Sequence, residues 1–388
     1  MENKKFNILL FSTKGAGEHY YGPGISAFRL YKDLNKSNYN LYLAHGYREQ
    51  ADLKLFNDQY FISDLKNGGI LNGVKFYRKM KGWVSKHANR FDVVHCLGAF
   101  HASFLIAMAF ENKNVPVFIK ITESQHTGFN KSSWISKILG MQHFRKKNAN
   151  IITGYISISS EITDKLVDAG INSRKIHFIP NGVDIDRFFP VTQNKKIELR
   201  QSLLLPDKFT FLFTGAFSNR KNPFLLVESF KPYYNKDGVQ LILIGPDRDD
   251  GEQRRKINEL IKSKGIKNVV VKDHQNKIEK FYQAADVFVL PSAEEGLSNS
   301  MLEALACGLP VITTKISGSE DVINEAKNGI FVNRNKESIS NALSFYYQND
   351  ESLKDHSQAA RTTIVNGYSS KTVLHKHLQL FLNTKYNR

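Results

Sequence analysis

Cysteine is scarce in this chain, which has only two, Cys96 and Cys307, among its 388 residues. The two do not form a C-x-x-C pair. Long apolar runs are also missing, so we expect the protein to be cytoplasmic, where a structural disulfide would be unusual. We therefore predict that both cysteines are buried thiols.

No stretch of the sequence is apolar enough for a signal peptide or a membrane span. Lys4 and Lys5 precede an apolar run that covers only 8–11, too short for the core of a signal peptide. The longest near-apolar stretch, 98–110, is interrupted by a histidine and a serine. The apolar fraction of 41% and the charged fraction of 23% are those of a soluble globular protein of one or two domains.

Acidic residues are too few to balance the basic ones, which leaves a formal net charge of +17. Residues 1–190 hold 26 Lys and Arg against 15 Asp and Glu, so the excess is larger in the N-terminal half. The candidate partners are nucleic acid, an anionic membrane and an anionic acceptor. No nucleic-acid recognition motif accompanies the charge, so we predict no nucleic-acid binding.

The stretch 291–310, PSAEEGLSNSMLEALACGLP, carries the most chemical information. An apolar run of strand length precedes it, Gly296 marks a turn, and strong helix formers follow from Met301. The N-terminus of such a helix presents unpaired N–H groups and a partial positive charge, which suit a phosphate. Glu295 and Glu303 flank the turn, and carboxylates are good acceptors for vicinal sugar hydroxyls. The pattern favours a nucleotide sugar as ligand.

A second interpretation of the same residues stays open. Ser300 and Glu303 have the spacing of a capping box, in which the glutamate only ties down the start of the helix.

The wider context resembles a known family. The two glutamates in an E-x7-E spacing, followed by A-x-A-x-G-x-P-V-I, resemble the signature of the family-4 retaining glycosyltransferases. Further matching motifs occur in the expected order: IPNGVD at 179–184, LILIG at 241–245 and FYQAAD at 281–286. The resemblance extends over residues 150–335 and is compatible with residues 1–150.

The resemblance implies the GT-B fold, in which two Rossmann-like, doubly wound parallel sheets face each other across a cleft. Alternating strand and helix patterns in both halves of the chain agree with this fold. We expect an acceptor-binding domain over 1–188 and a nucleotide-sugar-binding domain over 189–367, with 187–196 as the linker. The final helix, 368–388, should return to pack on the first domain.

The resemblance also assigns roles in the second domain. Lys221 and Arg220 would stabilise the leaving diphosphate, Glu295 would hold the donor sugar, and Glu303 would hold the ribose. The family's arginine position is occupied here by Ala216, so Arg220 is its candidate substitute. The remaining donor contacts would come from Gly215, Gly296, Leu297, Ser298 and Asn299.

On the acceptor side, the resemblance points to two histidines and a glycine-rich loop. His126 is a candidate for the reacting site and His95 for the acceptor loop, each on a loop at the carboxyl edge of a parallel sheet. For both, a hydrogen-bonded structural histidine is the alternative. Gly22 and Gly24 would let the backbone approach the donor phosphate and the acceptor, while the alternative is a plain turn.

The function implied is a retaining, metal-independent hexosyl transfer from a nucleotide sugar, UDP-linked rather than GDP-linked, to a glycan or lipid-linked acceptor of a bacterial cell-envelope polysaccharide. We expect no cofactor, and we read Asp184 and Asp186 as part of a turn rather than a metal motif. Basic segments at 75–90 and 131–147 predict peripheral contact with an anionic membrane. A nucleotide-sugar epimerase and a non-catalytic nucleotide-sugar-binding scaffold are the alternatives.

Overall fold

The structure is a computed structural model of the full chain, and it describes residues 5–13, 23–46, 54–63, 70–98, 101–122 and 149–386. The chain divides into two compact units. Unit 1 comprises residues 1–182 and 370–388, and unit 2 comprises residues 183–369. The division falls at Gly182, before the expected linker, and α-helix begins within that linker, at Gln193.

Unit 1 contains a seven-stranded sheet among the described residues. Its strands are β1 (Phe6–Ser12), β2 (Tyr39–His45), β3 (Asp58–Phe61), β4 (Val93–Leu97), β5 (Val117–Ile121), β6 (Gly154–Ser157) and β7 (Ile176–Phe178). The order across the sheet is β3-β2-β1-β4-β5-β6-β7, and every pairing is parallel. The helices in the described part of unit 1 are α1 (Pro23–Tyr31), α2 (Ile70–His87), α3 (His101–Phe110), α4 (Ser160–Asp168) and, in the C-terminal segment, α13 (Ser370–Tyr386).

Helix α13 belongs to the core of unit 1, although all of unit 2, residues 183–369, separates it in the sequence from the first segment of unit 1. Val373, Leu374 and Phe381 of α13 are buried in the same apolar cluster as Ile8 and Leu10 of β1. This is the packing that the family resemblance implies for the final helix. It removes an apolar helix face from water, which is the main source of stability for such a helix.

Unit 2 contains a six-stranded parallel sheet. Its elements, in chain order, are α5 (Gln193–Ser202), β8 (Phe209–Thr214), α6 (Pro223–Ser229), β9 (Val239–Ile244), α7 (Glu252–Lys264), β10 (Val269–Lys272), α8 (Glu279–Ala284), β11 (Val287–Leu290), α9 (Asn299–Ala306), β12 (Val311–Thr314), α10 (Ser319–Val322), β13 (Gly329–Val332), α11 (Lys336–Gln348) and α12 (Asp350–Gly367). The order is β10-β9-β8-β11-β12-β13. The sequence predicts strands at 209–214, 269–272 and 311–314, which are the bounds of β8, β10 and β12, whereas it predicts no strand at β3 or β13.

The central strands of unit 2 are rich in apolar residues because helices cover both faces of a doubly wound sheet. All four residues of β11 and all four of β12 are buried. The strand order reverses between β8 and β11, which pair directly. In open α/β sheets such a switch point, at the carboxyl ends of the strands, is where ligands bind.

Candidate functional site

Two loops meet at the switch point of unit 2. One follows β8 and runs from Gly215 to Asn222, and the other follows β11 and runs from Pro291 to Ser298. They are hydrogen-bonded to each other, since the N–H of Ala293 donates to the carbonyl of Arg220 at 2.7 Å and Arg220 Nη1 donates to the carbonyl of Glu294 at 2.7 Å. The sheet topology thus brings together residues about seventy positions apart in the sequence.

Glu295 is the centre of this pair of loops. Its Oε1 accepts from Lys221 Nζ at 2.8 Å and from Ser292 Oγ at 3.0 Å, and its Oε2 accepts from Arg220 Nη1 at 2.9 Å. The Glu295 side chain is 10% exposed, Lys221 12% and Arg220 50%. The lysine is therefore the less exposed cation of the site, and the arginine reaches Glu295 from the surface.

The charge of Glu295 is stabilised despite its burial. Removal from water alone would raise the pKa of its carboxyl, but attraction to Lys221 and then Arg220, with the hydrogen bonds from both, outweighs this effect. The net result is a pKa below the usual value for glutamate. The group is consequently an ionised acceptor at neutral pH, as a contact with sugar hydroxyls requires.

Gly215 is needed for the path of Lys221. A Cβ at position 215 would lie 2.8 Å from Lys221 Cδ and 3.2 Å from its Nζ. Gly245, at the end of the neighbouring strand, is equally constrained, because a Cβ there would lie 1.8 Å from the Gly215 carbonyl oxygen. Ala216, where the resemblance predicts an arginine in the family, is partly buried beside this crowded backbone.

The start of α9 is built from the residues that the sequence singles out. Ser298 is the N-cap, and its Oγ accepts from the Met301 N–H at 3.4 Å. Gly296, Leu297 and Ser298 are buried, and Asn299, the first residue of the helix, is half-buried. Gly318 of the next loop lies directly against them, since a Cβ there would be 2.4 Å from the Gly296 carbonyl oxygen. The turn is therefore supported from behind by tightly packed backbone.

The position of the N-cap decides between the two interpretations of Glu303. A capping box needs the N-cap at Ser300, but the N-cap of α9 is Ser298, two residues earlier, and Ser300 lies inside the helix. Glu303 is the fifth residue of the helix, too far along to return to its first N–H. Instead its Oε2 accepts from Tyr282 Oη at 2.9 Å, and Tyr282 Oη also hydrogen-bonds with Thr214 Oγ1. The capping-box interpretation is wrong for this helix.

His95 requires a correction. It lies in the middle of β4, not on a loop, and its side chain is 0% exposed. Its Nδ1 is 2.7 Å from Tyr31 Oη, and its ring packs against His377 and Phe381 of α13 with centroids 5.4 Å from each. Burial, and then the nearby His377 and Lys120, hold the pKa of His95 well below its ordinary value. It is a structural histidine, because the alternating direction of side chains along β4 turns it into the core.

Of the remaining acceptor-side residues and the basic stretches, the structure describes Gly24 but not Gly22, His126 or 131–147. The sequence predicts a loop up to Gly24 and a helix from Ile25, but α1 already starts at Pro23. Gly24 is buried and lies in the first turn of this helix, so it is not part of a loop. Gly22 and His126 lie outside the described residues, as does the basic stretch 131–147. Their roles stay predictions.

Three residues of the site were not predicted. Ser292 hydrogen-bonds with Glu295, Thr214 hydrogen-bonds with Tyr282, and Tyr282 donates to Glu303. Tyr282 lies within the FYQAAD motif that contributes to the resemblance, so its position was flagged, but its contact was not. A partner twenty-one positions away on another helix leaves no periodic signal in the sequence.

Asp184 forms a turn, as predicted. Its Oδ1 accepts from the N–H groups of Asp186 at 3.0 Å and Arg187 at 3.1 Å. Both cysteines are buried and unpaired, which confirms their prediction. Within the described residues, no group of three or more His, Cys, Asp or Glu side chains is placed to share a metal ion. In the same part of the chain, no helix combines the length and the apolar character needed to cross a bilayer.

Solved structures share this architecture. HepE from Anabaena, crystallised in complex with UDP and glucose, superposes with a TM-score of 0.74 at 16% identity and covers 96% of this chain and 98% of its own. A sucrose-phosphate synthase from Thermosynechococcus elongatus gives a TM-score of 0.79 at 18% identity, covering 99% of this chain and 100% of its own. At these identities the likeness establishes the fold, which is GT-B.

Sequence comparison defines the family. The profile of glycosyl transferases group 1 matches residues 195–363, and the profile of Glycosyltransferase Family 4 matches residues 21–187. The chain therefore belongs to the family-4 glycosyltransferases of GT-B type.

Two curated relatives are similar over about half of the chain. One is the UDP-Gal:alpha-D-GlcNAc-diphosphoundecaprenol alpha-1,3-galactosyltransferase of Escherichia coli, 29% identical over 224 residues, which are 56% of this chain and 57% of the relative. The other is the capsular polysaccharide biosynthesis glycosyltransferase CapM of Staphylococcus aureus, 29% identical over 243 residues, 60% of this chain and 62% of the relative. The chain thus spans less than two thirds of the length of either relative.

Proposed function

We propose that this glycosyltransferase moves a hexosyl unit from a nucleotide sugar, UDP-linked in preference to GDP-linked, to a glycan or lipid-linked acceptor, with retention of configuration and without a metal ion. The observation that carries the proposal is the meeting of Lys221, Arg220 and Glu295 beside the start of α9, with Glu303 on the same helix.

The donor is assigned to unit 2. The N-terminus of α9 and two cations offer positive charge to a diphosphate. An ammonium has three N–H donors, and the contact between Lys221 and Glu295 uses one of them. Lys221 can therefore hold the carboxylate and a phosphate oxygen together. Glu295 then accepts from hydroxyls of the sugar, and Glu303 from those of the ribose.

The chemical step follows from this placement. The acceptor oxygen bonds to the anomeric carbon, the bond from that carbon to the diphosphate oxygen breaks, and a diphosphate oxygen takes the acceptor's proton. Lys221 and Arg220 stabilise the charge that develops on the leaving group, which is the role a magnesium ion plays elsewhere. Since the leaving group acts as base from the side on which it departs, the configuration is retained and no strong protein base is needed.

The acceptor and the cell-envelope role are proposed from the relatives. The E. coli relative is named for a diphosphoundecaprenol acceptor and the S. aureus relative for capsular polysaccharide. We assign the acceptor to unit 1 and the location to the cytoplasmic side of the cell membrane.

Helix α2 supports a peripheral membrane contact. Its exposed positions carry only basic charge, at Lys75, Arg78, Lys79, Lys81 and Lys86. An anionic bilayer attracts such a surface by about 1 kcal/mol per basic residue. We do not include Trp83 in the membrane contact, because its ring stacks on His87 at 4.9 Å and on Phe91 at 5.7 Å between centroids.

The donor is tested first by thermal shift. We expect a UDP-sugar to raise the melting temperature more than GDP- or ADP-sugars, since a ligand that binds only the native state stabilises it. Transfer is then measured with an undecaprenyl-diphosphate-linked sugar in EDTA, and the anomeric configuration of the product by NMR. Activity that disappears in EDTA refutes metal independence, and an inverted product refutes retention.

The alternatives give different outcomes in the same assays. Isomerisation of the donor without acceptor indicates an epimerase. Donor binding without transfer or hydrolysis under any acceptor indicates a scaffold.

Membrane contact is tested by flotation with phosphatidylglycerol vesicles. We expect Lys75→Glu with Lys79→Glu to release the protein. The control reverses two exposed lysines of α7 in unit 2, Lys262 and Lys264. Equal loss in both variants means that net charge alone, not α2, drives binding.

A further inference from the structure

A hydrogen-bond chain runs through the interior of unit 2 from β8 to α9. Thr214 Oγ1 hydrogen-bonds with Tyr282 Oη, which lies 2.9 Å from Glu303 Oε2. Tyr282 is 0% exposed, Thr214 5% and Glu303 6%. The chain thus links the strand that leads into the Lys221 loop with the helix that starts at the glycine turn.

The protons available to these three side chains determine which group donates each hydrogen bond. The pKa of Tyr282 is raised well above its ordinary value, first by burial and then by the neighbouring Glu303 charge, so the phenol keeps its proton. A carboxylate can only accept, so the single phenol proton goes to Glu303. The phenol oxygen must then accept from the hydroxyl of Thr214. Each member has a defined partner, which favours one orientation of the Glu303 carboxylate.

The ring of Tyr282 is fixed by packing, so its hydroxyl can restrain the Glu303 carboxylate. Its ring packs against Phe188 at 5.8 Å, edge to face, and against Phe288 at 5.8 Å between centroids. A ring fixed by packing cannot follow a carboxylate that rotates, so the hydrogen bond restrains the carboxylate instead.

We propose that Tyr282 is a positioning residue for nucleotide binding, which orients the Glu303 carboxylate toward the vicinal 2′- and 3′-hydroxyls of the donor's ribose. The proposal rests on the donor assignment of the proposed function. Each carboxylate oxygen has two lone pairs, so an oxygen that accepts from Tyr282 still accepts from a sugar hydroxyl. Thr214 acts one step further back, by orienting the phenol.

The test compares two probes, UDP and 2′,3′-dideoxy-UDP, by isothermal titration calorimetry. If GDP or ADP binds the wild type more tightly than UDP, that nucleotide and its dideoxy form replace them. We expect the wild type to prefer the ribose form by about 100-fold or more, the scale of two hydrogen bonds to a charged group. Tyr282→Phe should reduce this preference about tenfold, because outer-shell partners contribute on that scale.

A matched control is available in the same unit. Tyr346 is also 0% exposed, and its hydroxyl bonds with His356 Nδ1 at 2.8 Å. Tyr346→Phe removes a comparable buried hydrogen bond away from the site, so it should lower the melting temperature similarly and leave the preference within about twofold. If Tyr282→Phe does not fold, Thr214→Val carries the test, with an expected reduction of about threefold.

The outcomes separate the two levels of inference. If no nucleoside diphosphate binds, or the wild type and Glu303→Gln both lack the ribose preference, the proposed function fails and takes this inference with it. If Glu303→Gln loses the preference but Tyr282→Phe keeps it, only the positioning role is overturned. Weakening of both probes by the same factor in Tyr282→Phe also overturns it, since that is the result of a packing defect alone.

Discussion

Replacing Lys221 with methionine removes one charge from the site and leaves its packing in place. The aliphatic stem has to stay, because it lies against Gly215, where an added Cβ would be 2.8 Å from the lysine Cδ. The ammonium group is the part under test. Its Nζ is 2.8 Å from Glu295 Oε1, and the two side chains are only 12% and 10% exposed.

The loss of stability should be moderate. Glu295 keeps Arg220 and Ser292 as partners, at 2.9 and 3.0 Å. The change is therefore the loss of one charge-assisted hydrogen bond, about 1.5–3 kcal/mol, and not the ~3–5 kcal/mol of a buried charge left without a partner. The pKa of Glu295 should rise without the lysine. A lowered carboxyl pKa contributes its full stabilisation only above the pKa of the unfolded chain, and the contribution is lost as the pH falls toward the folded pKa. The difference in unfolding free energy between wild type and Lys221→Met should therefore narrow below pH ~4.3.

The loss of turnover should be larger. If Lys221 stabilises the leaving diphosphate, removing the charge should lower turnover at saturating donor by roughly 10²–10³-fold. The assay measures urea unfolding and donor turnover of the same preparations.

Lys196→Met is the matched control, because Lys196 pairs with Asp286 at 2.8 Å in the same unit, with 17% and 12% of the side chains exposed. Asp286 keeps Arg200 as a partner, so the stability loss should be similar and turnover unchanged. The assignment of Lys221 is refuted if its variant keeps near-normal turnover. It is also refuted if both variants lose turnover equally.

Three further changes probe the remaining elements. Glu303→Gln should weaken nucleotide binding by about tenfold or more, and calorimetry that finds only a lower melting temperature would contradict the ribose role. Gly318→Ala should cost about 1–3 kcal/mol and also weaken nucleotide binding, because its Cβ would lie 2.4 Å from the Gly296 carbonyl oxygen; Gly265→Ala, with a φ of +59° and no atom within 4 Å, is the control for backbone strain alone. Burial lowers the pKa of His377 to about 3, so between pH 6.5 and 3 the unfolded chain binds a proton at this residue and the folded protein does not. The free energy of unfolding therefore decreases as the pH is lowered, by about 2 kcal/mol at pH 5. In His377→Leu, urea unfolding should show a smaller difference in this free energy between pH ~7.5 and pH ~5, and an unchanged difference would contradict the lowered pKa.

Local pattern was sufficient for most of the architecture. The runs at 209–214, 269–272 and 311–314, which are rich in β-branched and aromatic residues, predict strands with the observed bounds, because such side chains fit the faces of a sheet that helices cover. The glycine turn, the helix formers after it and the spacing of Glu295 and Glu303 predict the loop and helix of the proposed donor site. Short edge strands such as β3 were missed because four residues with one or two apolar side chains carry too little signal.

Local sequence is enough to define the helices and strands of unit 2 and the chemical groups at their ends, since propensity, periodicity and capping act over a few residues. The tertiary structure alone decided which groups meet. The order of strands in the sheet joins Lys221 to Glu295 and Tyr282 to Glu303, and it buries His95 in a core that includes the last helix of the chain. Such contacts depend on where distant segments cross, and no local pattern records that.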